Sequence, residues 1–175
     1  MSGIGRWLQF TWVNGARDIG QPQLADRFAL RHAETTEKDV VHRVVFNSFQ
    51  LDSSWSRYLA RISPFLSASH QRAFDGKPPH CVVLLHGSRI IGASLLDPVV
   101  DADSHLASGP CVLIEYRSRG LGSALLAASL QALHESGIHS VRAITPEGSS
   151  AAKHVYPKFG SVVQPVDFSM AEAER

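Results

Sequence analysis

The chain has 175 residues, of which 44% are hydrophobic and 19% charged, and this composition supports one hydrophobic core rather than two. The formal net charge is +1 and both signs are interspersed, which argues against a nucleic-acid partner or a membrane-surface partner. No apolar run approaches the ~20 residues of a membrane-spanning helix, so we expect a soluble, unexported, cytoplasmic protein.

Residues 1–26 predict no long regular element, because four glycines and Pro22 interrupt the apolar positions. We interpret this segment as an N-terminal arm that docks onto the body or onto a second subunit, which leaves a homodimer open. Residues 27–175 are predicted to form one domain. Apolar residues of the arm include Trp7, Phe10, Trp12 and Val13.

The first half of the domain predicts a strand, two helices and a hairpin. A short alternating strand over 28–33 precedes a helix that Thr35 or Thr36 caps. A second helical stretch over 55–66 follows a break at 52–54. Two apolar runs, HCVVLLH and RIIGASLL, are separated by Gly87 and Ser88, the composition of a tight β-hairpin.

The second half changes period from strand to helix and back. A buried strand, PCVLIEY, leads into a Leu-rich helix that begins at Gly120 and ends at Gly137. Cys111 lies in that strand and Cys81 in the hairpin, which indicates reduced core thiols. A strand over 141–145, a short helix over 150–156 and a strand over 162–170 complete a mixed α/β (α+β) order, with a βαβ crossover near its middle.

The stretch EYRSRGLGSALL places two arginines and two glycines where a strand becomes a helix. Backbone N–H groups at a helix start have no intrahelical partner and can bind one anion, helped by the helix dipole. Gly120 and Gly122 allow a phosphate to approach the backbone closely. Arg117 and Arg119 oppose the dipole unless something negative lies between them. The loop therefore predicts a diphosphate site.

Two common phosphate motifs do not fit this loop. A Walker-type loop requires Gly-Lys-Ser/Thr, and no lysine follows Gly122. A dinucleotide fingerprint requires a third small residue, where Leu125 stands, and a later acidic residue that is missing. The pattern that remains is Arg117-x-x-Gly120-x-Gly122.

This pattern resembles the acetyl-CoA loop of the GNAT N-acetyltransferase superfamily, and a second motif supports the resemblance, which covers about residues 28–170. In the second motif Ala152, Tyr156 and Gly160 match, whereas Ser149 stands at the family's Asn position and Ser161 at its Phe position. The proline that usually precedes the loop is replaced by Ile114.

The resemblance implies a GNAT-like acyl-CoA N-acyltransferase fold with a mixed central sheet of about six or seven strands flanked by helices. It implies acetyl-CoA as cosubstrate, with its pyrophosphate on N–H groups of 119–123 and its pantetheine arm beside 111–114. Tyr156 is the implied catalytic residue, protonating the departing thiolate. The implied cofactor-binding residues are Cys111, Val112, Arg117, Ser118, Arg119, Gly120, Leu121, Gly122, Ser123, Ser149, Ala152 and Tyr156.

The expected function is transfer of an acetyl group from acetyl-CoA to a primary amine of a small molecule or a protein. The alternatives are a catalytically silent acyl-CoA-binding sensor or assembly module, and a nucleotide-binding α/β protein. No metal is expected, since no ligand-spaced Cys/His cluster occurs. The general base stays open among Asp101, Asp103, His105 and Glu115. Candidate acceptor-pocket residues are Trp55, Tyr58 and Phe65.

Overall fold

The computed structural model describes residues 5–13, 19 and 22–168. Its strands are β1 (Trp7–Val13), β2 (Phe28–His32), β3 (Cys81–His86), β4 (Arg89–Leu95), β5 (Cys111–Val112), β6 (Ser140–Pro146) and β7 (Val162–Val166). Its α-helices are α1 (Lys38–Gln50), α2 (Leu59–Asp75) and α3 (Leu121–Glu135). Shorter 3-10 turns span Thr35–Glu37, Ser53–Tyr58 and Ile114–Tyr116, and a π-helical turn spans Ala151–Val155.

The mixed α/β class and the number of strands are confirmed, but the strands form two sheets. One sheet has the order β2-β3-β4-β5 and the other β6-β1-β7, and every neighbouring pair is antiparallel. The predicted crossover is therefore corrected: α3 connects β5 to β6, but these two strands belong to different sheets. The sheet is split at the point where the chain crosses over.

The N-terminal segment contains a strand that sequence reasoning missed. Strand β1 lies between β6 and β7 and pairs with both along its length. Trp7 is buried on one face of β1, and Phe10 and Trp12 are buried on the other. Residues 1–4, 14–18 and 20–21 of the predicted arm lie outside the described residues, and the domain boundary at residue 26 stays a prediction.

The four-stranded sheet lies between helices on both faces. Side chains alternate along a strand, so Val83 and Leu85 of β3 pack in the cluster that includes α1 and α2. Val82 and Leu84 pack in the cluster that includes α3. Both faces of β3 and β4 are buried, which explains the continuous apolar runs of the hairpin. The predicted hairpin is confirmed by this pairing.

Residues 104–107 join the two sheets at one end. The N–H of Ala107 donates to Leu95 O, and the N–H of His105 donates to Arg142 O on β6. A bridge between Leu96 and Leu106 adds a further link to the β4 side. Beyond this link β5 and β6 are unpaired with one another, so a gap opens between them in front of α3.

Two predicted strands are longer in the sequence analysis than in the structure. The predicted strand PCVLIEY is reduced to Cys111–Val112, after which Ile114–Tyr116 form a 3-10 turn. The last strand ends at Val166, and positions 169 and 170 of its predicted span lie outside the described residues. Helices α1 and α3 and strand β6 agree with their predicted spans to within a few positions, whereas the second helical stretch, predicted over 55–66, begins as a 3-10 turn and continues as α2 to Asp75.

Candidate functional site

A cavity of about 500 Å³ occupies the gap between the two sheets, a size typical of sites for small ligands and cofactors. At one end it reaches the start of α3 through Gly120, Gly122 and Ser123. Its middle is lined by Val112 of β5 and Thr145 of β6. Its other end is lined by aromatic and aliphatic side chains. The cavity thus connects a helix N-terminus with an apolar chamber.

The loop before α3 has a backbone shape that exposes its N–H groups. Ser118 has φ 64° and Gly120, the residue that caps α3, has φ 76°. The first N–H groups of α3, from Leu121 to Ser123, have no carbonyl one turn earlier to accept them. Gly120 O accepts the next N–H, that of Ala124, at 3.2 Å. The start of α3 thus has N–H groups without intrahelical partners beside the cavity, and their binding of a diphosphate stays a prediction.

The side chain of Arg117 does not point into this cradle. Its Nε donates to Val112 O at 3.2 Å, its Nη2 donates to Ser48 O at 3.0 Å, and its Nη1 lies 3.9 Å from Asp52 Oδ2. These contacts tie the end of β5 to the last turns of α1. The interpretation of Arg117 as a cation facing the diphosphate is thus corrected, because its guanidinium is already bonded within the protein.

Lys158 supplies a cation at the start of α3, the position predicted for the Arg117 side chain. Its Nζ donates to Ser123 Oγ at 2.7 Å, and both residues line the cavity. Its backbone is held by Trp12, whose Nε1 donates to Lys158 O at 2.8 Å. Arg119 is exposed, donates to Glu115 O and lies over the Tyr116 ring, outside the cavity lining.

The side chains of three other residues predicted to bind the cofactor pack within the protein, and their part in binding stays a prediction. Ser149 is fully buried; its Oγ bonds Thr145 Oγ1 at 2.7 Å and accepts from the N–H of Ala152 at 3.1 Å. Ser149 thereby holds the turn between β6 and the π-helical turn. Ala152 and Leu121 pack in the core cluster beneath α3. None of these three side chains lines the cavity.

Val112 presents its backbone to the gap. The N–H of Leu113 donates to Ile91 O, and successive residues of an antiparallel ladder alternate the side to which they bond. The N–H and C=O of Val112 therefore point away from β4, and the C=O accepts Arg117 Nε. The Val112 N–H is left as a donor on the open edge of β5.

Tyr156 lies at the wall of the cavity beside β5. Its ring packs against Phe10 and Trp12 at centroid distances of 5.4 and 5.5 Å. Its hydroxyl reaches Gly109, where an added Cβ would lie 2.3 Å from it. Among the described residues the hydroxyl has no hydrogen-bond partner. Burial, assisted by Cys111, raises the pKa of Tyr156 above its usual value of 10.0, so the phenol keeps its proton at neutral pH.

Cys111 also lines the cavity, and its environment suppresses thiolate chemistry. Burial raises the pKa of its thiol to about 12, and the same cause raises the pKa of Cys81 to about 12. At pH 7 on the order of one Cys111 thiol in 10⁵ is ionised. Both thiols are free and buried, as predicted, and Cys111 is unsuited to act as a nucleophile.

None of the four candidates for the general base lines the cavity. His105 is buried, with Nδ1 accepting from the N–H of Arg142 and Nε2 donating to Val100 O, and burial lowers its pKa. Glu115 pairs with Arg89 at the surface, and Asp101 and Asp103 are exposed. The carboxylate that does line the cavity, within the described part of the chain, is Asp52.

The apolar end of the cavity includes two of the three predicted acceptor residues. Trp55 and Phe65 line it, whereas Tyr58 packs behind Trp55 and Trp7. The described residues contain no group of three or more side chains suited to a metal ion. They also contain no helix with the length and apolarity needed to cross a membrane.

The fold brings to the cavity several residues that had no predicted role in the site, among them Asp52, Lys158, Ser48 and Trp7. In the sequence, Asp52 was noted only as part of a break between two helices, and Lys158 belonged to no recognised motif. Ser48 is hidden on an amphipathic helix, and Trp7 arrives through the unpredicted β1. Lys158 lies two residues after Tyr156, and this closeness in sequence to a predicted site residue is a signal that could have identified the lysine.

Comparisons with known proteins agree with this geometry. The chain matches the family model described as the acetyltransferase (GNAT) family over residues 45–160. No curated protein matches the sequence. Because residues 45–160 exceed half of the chain, the match concerns the body of the fold.

Solved structures similar to the chain share its fold at low identity. A Drosophila protein aligns with a TM-score of 0.63 and 15% identity, over 92% of this chain and 49% of that one. A GCN5-related N-acetyltransferase from Kribbella flavida aligns with a TM-score of 0.56 and 16% identity, over 93% and 56%. A tandem GNAT protein from the clavulanic acid biosynthesis pathway aligns with a TM-score of 0.55 and 14% identity, over 96% and 55%.

The chain spans about half the length of each of these structures, and identities this low concern the fold alone. The family match, the two sheets that part in front of α3, and the exposed N–H groups at the start of α3 lead to one assignment. The chain belongs to the acetyltransferase (GNAT) family.

Proposed function

We propose that the chain transfers an acetyl group from acetyl-CoA to a primary amine. The observation that carries this proposal is a single cavity that runs from the glycine-rich start of α3 to the open edge of β5 and on to an apolar chamber. These three parts match the three parts of the reaction: a diphosphate, an extended amide chain and an acceptor. The membership of the GNAT family supports the same reaction class.

The residues that would hold the cosubstrate fit it chemically. A diphosphate would accept from the N–H groups of residues 119–123, and Lys158 would add a positive charge beside them. The unpaired edge of β5 would bond an amide of the pantetheine arm as a neighbouring strand does. An added cation near a helix N-terminus is unfavourable without an anion, which supports an anionic ligand next to Lys158.

Bound acetyl-CoA supplies a thioester, and the C–S bond breaks as the amine nitrogen forms its bond to the carbonyl carbon. The Val112 N–H would stabilise the negative charge that develops on the carbonyl oxygen. Tyr156 would give its hydroxyl proton to the departing sulfur, and the proton lost by the amine restores the phenol through solvent. The buried Cys111 thiol stays protonated, so the proposed transfer is direct, from thioester to amine.

The proposal is tested with Tyr156→Phe, which removes one hydroxyl that has no partner among the described residues. We expect turnover to fall at least tenfold, which corresponds to ~1.4 kcal/mol of transition-state stabilisation, while the Kd for acetyl-CoA stays within twofold. Release of free thiol with an amine panel measures turnover, and calorimetry measures the Kd. Unchanged turnover would remove Tyr156 from the mechanism.

A binding module without catalysis is the second candidate that the sequence left open. It depended on Ser149 at the position where the family has Asn, but Ser149 keeps the turn after β6 closed through two hydrogen bonds. The turn that presents Tyr156 is therefore intact, which favours the enzyme. Binding of acetyl-CoA without thiol release for any amine would favour the module.

A further inference from the structure

The end of the cavity remote from α3 is a chamber built from aromatic and aliphatic side chains of four separate elements and of the segment after β7. Its walls are Trp7, Phe49, Trp55, Ile62, Phe65 and Phe168. The rings brace one another, with centroid distances of 4.8 Å between Phe49 and Trp55 and 5.0 Å between Trp7 and Phe168. A chamber with walls held in this way is preformed for an apolar group.

One carboxylate faces this chamber. Asp52 Oδ1 accepts from the N–H of Ser54 at 3.0 Å, which fixes the side chain. Oδ2 forms a long ion pair, at 3.9 Å, with Arg117 Nη1. The side chain of Asp52 keeps an exposed fraction of 14% and lines the cavity. Its second oxygen is thus available to a cation that enters the chamber.

A second polar atom beside Asp52 lacks a partner. Ser48 lines the cavity with a relative exposure of 6%, and its Oγ is buried without a hydrogen bond in the part of the chain that the structure describes. A buried hydroxyl without a partner costs free energy. Because Ser48 lines the cavity, a small rotation of its side chain would let a ligand atom supply the missing partner.

The positively charged side chain at this end of the cavity, Arg117, is already hydrogen-bonded within the protein. Arg117 lines the cavity near Ser48 and Asp52, but its guanidinium donates to the carbonyls of Val112 and Ser48. No other arginine or lysine lines the chamber end among the described residues; Lys158 lies at the α3 end, on Ser123. An acceptor carboxylate or phosphate would therefore find no free cation here.

From these contacts we infer that the acceptor is a small primary amine carried on an apolar alkyl or aryl body. The apolar body occupies the chamber, and the ammonium group is received by Asp52 Oδ2 and Ser48 Oγ before it loses its proton. The inference rests on the proposed acetyl transfer and specifies its acceptor. The amine nitrogen then attacks the thioester carbonyl, CoA leaves as the thiol, and one proton is released to solvent.

The test compares amines of similar length on the acetyl-CoA complex. Hexylamine and 2-phenylethylamine are the apolar probes; ethanolamine, glucosamine and Nα-acetyl-lysine are the polar ones. We expect kcat/KM at least tenfold higher for the apolar amines. Calorimetry with acetyl-CoA alone separates the two claims. Absence of binding, or binding with transfer to no amine, contradicts the proposed function, whereas binding with transfer only to the polar amines contradicts the inference.

Two variants test whether the chamber causes the preference for apolar amines. Phe65→Ala should lower kcat/KM for the apolar amines five- to thirtyfold. Ser48→Ala should lower it at least threefold without loss of thermal stability, because its Oγ has no hydrogen-bond partner among the described residues. Neither should change the Kd of acetyl-CoA. The control is Val162→Ala, an exposed position outside the cavity lining. If Phe65→Ala instead shifts preference toward hexanoyl-CoA with no change for amines, the chamber holds the acyl chain and the inference is wrong.

Discussion

Gly122→Ala separates the stability of α3 from its ability to bind an anion. Gly122 is the second residue of α3 and lines the cavity. A Cβ added there would meet Val155 Cγ2 at 3.7 Å, an ordinary contact, and the backbone φ lies outside the left-handed region. The fold accommodates the methyl group, but the methyl group stands at the surface of the cradle that the phosphates would approach.

The two expected effects have opposite signs. Alanine is a better helix former than glycine by up to about 1 kcal/mol, so the melting temperature without ligand should stay the same or rise by ~1–4 °C. Loss of one charge-assisted hydrogen bond, about 1.5–3 kcal/mol, should weaken acetyl-CoA binding roughly 10- to 100-fold. Differential scanning fluorimetry and calorimetry measure the two quantities.

The matched control is Gly148→Ala, where an added Cβ meets nothing within 4 Å and which does not line the cavity. It should leave the Kd unchanged. A Gly122→Ala protein that is equally stable or more stable and binds acetyl-CoA with the original Kd would refute the cradle, because a methyl group on that surface would then be outside the ligand's path.

Two further predictions concern pH. The pKa values of Cys81 and Cys111 rise from 9.0 to about 12 on folding. Above pH 9 the unfolded chain therefore binds fewer protons than the folded one, and the free energy of unfolding should fall by about 1.4 kcal/mol per pH unit for each thiol. Urea unfolding under reducing conditions at pH 8 and 10 measures this fall, which should be shallower in Cys81→Ala; equal stability at both pH values would contradict the prediction. Burial lowers the pKa of His105 below 6.5. Below that pH the unfolded chain therefore binds more protons than the folded one, and the free energy of unfolding should decrease as the pH falls from 7.5 to 5.5. A constant urea midpoint over this range would show that His105 is not held neutral.

Elements specified by neighbouring residues were predictable from the sequence. The β3–β4 hairpin follows from two apolar runs around Gly87, which has φ 59°, a conformation that glycine tolerates. Helix α3 follows from its leucine spacing and from the glycines at its two ends, and the structure places it at Leu121–Glu135. The exposed N–H groups at its start are a property of any helix, so this part of the site was also accessible.

Features that depend on distant residues were not predictable. Strand β1 pairs with β6 and β7, which lie more than 125 residues later. The sequence of residues 7–13 does not indicate which strands those partners are. The orientation of Arg117 depends on the carbonyl of Ser48, 69 residues away. An apolar run such as PCVLIEY does not reveal where pairing stops, and here it stops after Val112 because Leu113 leads into a 3-10 turn.

The most direct test of the account is the set of backbone amide resonances that respond to CoA. In a titration of the ¹⁵N-labelled protein followed by NMR, we predict the largest amide shifts within residues 118–123, with a second group at Val112 on the β5 edge. Removal of the diphosphate, by use of acetyl-pantetheine, should abolish the first group and retain the second. Saturating binding with no change in residues 118–123 would contradict the assignment of the start of α3 as the diphosphate site.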